Sequence, residues 1–246
     1  MSRWLAAVLM ACVVGCGEPV GEYVAAHRAA AEAQLAKVAR VAELVATLPP
    51  NDWATMKDPG PLAICDLVIA PHRAKGCETW VIGLEQLRSA GRYLEPAPLV
   101  SFGSAEWLVT TTNLLTTGRF PPNDRYPTGD EPSRLTRAIT YAFEWLESAR
   151  YLIVVRTDEL VPPALAEDQK SYAPGSFRGE ALLFALAPEP TALGSAPFGY
   201  AMQGDVKVRM QKGIIHEEQI AQGFAKGVRE ALAEALVERL KQLERP

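Results

Sequence analysis

The sequence predicts an α+β fold: a long N-terminal helix, a helical or irregular middle region, and a small C-terminal antiparallel sheet packed by helices on one face. Three observations carry this. Residues 23–48 lack Gly and Pro, are rich in Ala, Leu, Glu, Arg and Lys, and stop at Pro49-Pro50. Short apolar or alternating runs appear at 151–155, 177–186 and 198–210. Finally, Ile220, Phe224, Val228, Leu232, Leu236 and Leu240 step by four along the C-terminal stretch.

The composition permits such a fold and excludes others. The chain has 246 residues, 48% of them hydrophobic and 22% charged, enough for a core of ordinary size and too apolar for a disordered chain. Acidic residues (29) outnumber Lys plus Arg (25), so a basic nucleic-acid surface is not expected.

In the first helix, Leu35, Val38, Ala42, Val45 and Leu48 form a narrow apolar stripe expected to pack on the domain. Residues 51–130 are read as a helical or irregular region. Within it, 79–93 have Val81, Leu84 and Leu87 near helical spacing, and 105–116 predict a further helix weakened by three consecutive threonines. Residues 118–132 hold four prolines and mark a boundary before a C-terminal unit of residues 131–246. A helix opens near Pro132, with Leu135, Ile139, Ala142, Phe143 and Leu146 on one face. The run 151–155 suits a central strand covered on both sides. In the second strand Leu182, Phe184 and Leu186 alternate with Ala181, Leu183 and Ala185. Residues 188–194 read as a hairpin connection. After it Phe198, Tyr200, Met202, Val206, Val208 and Met210 alternate with polar residues, as in a half-buried strand. The last helix, 216–243, carries Gly223 and Gly227, expected to let it pack closely on the sheet.

The first sixteen residues carry a signal of another kind. Arg3 precedes an apolar run, residues 4–14, that is too short to span a bilayer and ends in Val13-Val14-Gly15-Cys16. This resembles the signal peptide and lipobox of bacterial lipoproteins. The resemblance implies removal of residues 1–15, a diacylglyceryl thioether on Cys16 and acylation of its new amino group. The soft thiol suits alkyl transfer. Cleavage would leave 231 residues and, with Arg3 gone, a formal charge of −5. Three fatty chains would hold the protein on the membrane essentially permanently. Gly17 stands where, in this family, Asp often favours inner-membrane retention, so the resemblance implies an outer-membrane protein facing the periplasm. Residues 16–50 are then a lipid anchor followed by the long helix.

Processing would discard Cys12 and acylate Cys16, leaving Cys65 and Cys77 as an even pair in an oxidising compartment. A disulfide between them is expected, stabilising by about 3 kcal/mol through loop closure. A metal site of Cys65, Asp66, His72 and Cys77 is the alternative, although its spacing fits no familiar ligand pattern.

The chain carries no GxSxG, HExxH, phosphate-loop or dinucleotide-binding pattern. His27, His72 and His216 lie far apart, and His27 falls on a helix face expected to be exposed. Asp158-Glu159 follow the central strand, but neighbours on a strand point to opposite faces. Trp53, Trp80, Trp107 and Trp145 are read mainly as core residues and alternatively as glycan-stacking groups. In order of elements the C-terminal region, through Tyr151-Leu-Ile-Val-Val, Ala181-Leu-Leu-Phe-Ala-Leu and the terminal helix, resembles periplasmic α/β domains of lipoproteins such as the curli secretion channel subunit and penicillin-binding-protein activators. That likeness implies a fold alone. The expectation is a lipid-anchored envelope protein that binds or scaffolds a protein or glycan of the envelope, with no cofactor, metal or catalytic residues assigned. An envelope hydrolase with a scattered site is the alternative.

Overall fold

The computed structural model describes residues 19–48, 78–89, 99–100, 102, 104–117, 132–168, 170–203 and 215–243. The lipobox, Trp53, Cys65, His72 and Cys77 lie outside them, as does the alternating stretch 206–210. Helix α1 spans Pro19–Thr47, followed by strand β1 (Thr79–Gly83), a short helix α2 (Leu84–Arg88), α3 (Ser104–Thr117) and α4 (Pro132–Ser148). Then come β2 (Tyr151–Val161), β3 (Ala164–Leu165), β4 (Tyr172–Ala173), β5 (Ser176–Ala185), β6 (Thr191–Ala201) and α5 (Glu217–Leu243).

The architecture is α+β, built on a four-stranded sheet of order β1-β2-β5-β6. The sheet is mixed. β2, β5 and β6 are antiparallel neighbours, as expected, but β1 adds in parallel to β2, with Thr79 opposite Tyr151 and Gly83 opposite Val155. This corrects the helical reading of 79–93. Thr79, Trp80, Val81 and Ile82 are β-branched or aromatic and all four are buried, so a strand covered on both faces uses their shapes better than a helix would. The helical spacing of Leu84 and Leu87 is real but belongs to the single short helix α2, whose buried side chains they are.

Alternation along the strands feeds two cores. Trp80, Ile82, Leu152, Val154, Leu182 and Phe184 point to one face. There they meet Ala31, Val38, Val41 and Val45 of α1, Leu108, Leu114 and Leu115 of α3, and Ile139, Phe143, Trp145 and Leu146 of α4. Val81, Ile153, Val155, Ala181, Leu183, Ala196 and Phe198 point to the other, where Ile220, Phe224, Val228, Leu232 and Leu236 of α5 cover them. Helices therefore cover both faces of the sheet, where one had been expected. The apolar runs at 151–155 and 181–184 are continuous because each residue has a helix to meet.

Specific contacts fix the layers. Trp80 and Trp145 stack at 4.8 Å, and Trp80 Nε1 donates to the Trp145 carbonyl at 3.2 Å. The buried Gln34 of α1 donates to the carbonyl of buried Ala149 at 2.6 Å, tying α1 to the turn between α4 and β2. On α5 the two glycines differ. A methyl at Gly227 would come within 2.1 Å of Tyr200 Cζ, whereas one at Gly223 would meet nothing within 4 Å. Close approach to the sheet is thus the role of Gly227 alone. One further expectation is corrected locally. β6 begins at Thr191, inside the segment read as a connection, and its register shifts where Gly194 adopts φ 154°. Between β2 and β5 the chain folds back as the β3–β4 hairpin, with Asp168 Oδ1 accepting from the Lys170 and Ser171 amides.

Candidate functional site

The polar groups best placed for recognition lie where the helical layer ends and the sheet continues. β1 stops opposite Val155, and β2 runs on through residues 156–161 beside β5. Arg156 stands directly across from Glu180. The two side chains form an ion pair, 15% and 2% exposed, through Nη2 of the guanidinium and Oε2 of the carboxylate. Arg156 Nη1 lies 3.5 Å from the Leu48 carbonyl at the end of α1. A guanidinium there complements the negative end of the α1 dipole as well as the carboxylate.

One step further out, a bulge between Thr157 and Glu159 changes the register. It inserts Asp158 as the extra residue and brings Glu159 opposite Arg178. Glu159 Oε2 and Arg178 Nη2 are 3.3 Å apart and both side chains are largely exposed. Because Arg178 and Glu180 are two apart on β5, both pairs share the face that carries the helical layer nearby. The result is a graded polar strip: a buried pair beneath an exposed pair of reversed order, with Asp158 in solvent beside them. Beyond the strip, Leu160 and Val161 are 42% and 45% exposed, two of the three large apolar residues so exposed among those described.

Simple alternation pairs Arg156 with Asp158 on one face. The bulge substitutes Glu159, and no local residue pattern announces it. Chemically, Glu180 is committed to a guanidinium and suited to holding the strip in place. The outer pair is open to exchange with charged groups of a partner, because an exposed ion pair is held by only about 0–1 kcal/mol.

The histidines do not join this strip. His27, expected on an exposed face, is half-buried between α1 and α4: its Nδ1 lies 2.7 Å from Glu147 Oε1, and its ring stacks at 4.2 Å on Tyr23. Burial, with help from Glu144 and Glu147, pushes the Tyr23 phenol above its ordinary pKa, so it stays neutral there. His216 is exposed just before α5, its carbonyl accepting from the Gln219 amide at 3.0 Å. Trp80 and Trp145 are core residues, and the side chain of Trp107 lies outside those described, as do Cys16, Cys65 and Cys77. Among the described residues, no three His, Cys, Asp or Glu side chains are grouped to hold a metal ion, and no helix is long and apolar enough to cross a membrane.

Comparison with protein families, with curated proteins and with solved structures finds no match.

Proposed function

We propose that the chain is a lipid-anchored protein of the bacterial cell envelope, held at the outer membrane and facing the periplasm, whose α+β domain binds or scaffolds another envelope component. The observation that carries this reading is the apolar run closed by Val13-Val14-Gly15-Cys16. The start of α1 at Pro19 supports it, because a folded domain then begins directly after the acylated residue. The polar strip and the exposed Leu160 and Val161 favour recognition of a protein or glycan at the end of the sheet.

Fractionation of cells fed radiolabelled palmitate tests the anchor. The wild-type protein should carry label and sediment with membranes, and Cys16→Ala should lose both. Label retained by Cys16→Ala would overturn the reading. Cross-linking from residue 159 or 161 in intact envelopes tests the partner: a discrete adduct lost on Arg178→Glu is expected. Cross-links absent there but abundant from α5 would move the binding surface.

A further inference from the structure

We infer that the anchored protein stands end-on to the bilayer, with the N-terminal turns of α1 at the lipid surface and the outer end of β2, with the β3–β4 hairpin, held far from it. The inference rests on the lipid-anchor reading above.

Chain length fixes the near end. Three peptide units separate Cys16 from Pro19, the first residue of α1, so its Cα lies within about 11 Å of the Cα of Cys16. α1 is not a loose stalk. Gln34 is bonded to Ala149, and Leu48 meets Arg156. Those fourteen residues of helix cover about 21 Å, and the seven of strand beside them about 23 Å, so α1 and β2 run alongside in the same direction. Residues 19–33 therefore project past the start of β2. They pack there on the last turns of α4 through Tyr23 and His27, and Arg28 donates to the Leu115 carbonyl at the end of α3. At the other end, residues 157–161 carry β2 about 17 Å past Leu48. The outer end of β2 is then at most about 60 Å from the first turn of α1.

Charge selects the upright posture. The processed chain carries −5, and near the tether Glu22 and Glu144 are exposed while Arg28 is paired with Glu32 and Glu147 with His27. An anionic leaflet repels such a body, and lowering it onto the lipid would bring more of its charge within a Debye length. The bilayer thus meets only the tether and the first turns of α1, and the polar strip with Leu160 and Val161 faces outward.

The test places a fluorophore, through a click-reactive unnatural residue, at exposed Ala25 or exposed Glu167 of the full lipoprotein. The protein is reconstituted in vesicles of phosphatidylethanolamine and phosphatidylglycerol with a headgroup acceptor. Energy transfer should be several-fold stronger from position 25 than from position 167, and the ratio should fall as salt screens the repulsion. Equal transfer from both positions, in protein that floats with the vesicles, would overturn the end-on posture. Protein that fails to float would instead overturn the anchor on which it rests.

Discussion

Gly223 and Gly227 share one helix and one sequence motif, and their surroundings give them opposite weights. Gly227 faces the Tyr200 ring at a distance no Cβ tolerates, so Gly227→Ala is expected to cost about 1–3 kcal/mol through overpacking. At Gly223 a methyl meets nothing, and Gly223→Ala should stabilise by up to about 1 kcal/mol by restricting the unfolded chain. Urea midpoints of the two variants check the pair, and shifts of the same sign would contradict the packing described. The Arg156–Glu180 pair yields a second prediction. Glu180→Ala leaves a mostly buried guanidinium without its carboxylate and should destabilise by about 3 kcal/mol. The double change Arg156→Met with Glu180→Leu should recover most of that loss, since it removes both charges. Arg178→Ala, acting on an exposed pair, should move the midpoint by less than about 1 kcal/mol. A double variant as unstable as Glu180→Ala would show that the site needs the pair itself.

Among the elements, the β3–β4 hairpin turns on one carboxylate. The backbone amide of Lys170 is the main reason that the Asp168 carboxyl sits below its ordinary pKa of 3.8, with Ser171 adding to it. A depressed pKa means that the turn's stabilisation is complete above 3.8 and is lost as the pH falls through the lower folded value. Amide exchange at Lys170 and Ser171, corrected for intrinsic chemistry, should speed up in that acid range, and it should be fast at every pH in Asp168→Ala. Protection unchanged in the variant would contradict the assignment. Elements with a long period or a continuous apolar run were legible from sequence: α1, α4, α5, β2 and β5 lie where the spacing of Val38, Ile139, Phe224, Val154 and Phe184 puts them. β1 was not. Its five residues are too few for a period, and their strand character comes from Tyr151–Val155 beside them, a partner distant in sequence. The same holds for the bulge at Asp158: alternation reads a strand's faces correctly until an inserted residue shifts them.

For the whole molecule, the two-sided core and the short distance from Cys16 to α1 join fold to proposed attachment. The stripe of α1 expected to pack on the domain does so: Val38 and Val45 are buried, Leu35, Ala42 and Leu48 are partly buried against the same core, and Val41 joins them. Helices on one sheet face were expected, but an apolar stripe on a helix does not say which face of a sheet it covers, and the burial of Leu182 and Leu183 in opposite cores needs a cover on either side. Of the candidate site, Asp158 and Glu159 were visible as a polar pair after a buried strand. Their partners Arg178 and Glu180 became visible only once the β2–β5 register was known. The central claim is the acylated N-terminus, and mass spectrometry of the proteolysed membrane-bound protein tests it most directly. The account predicts that the most N-terminal peptide begins at Cys16 and carries a diacylglyceryl thioether and an amide-linked acyl chain. A peptide that runs through residues 14–17 with a free Cys16 thiol would contradict it.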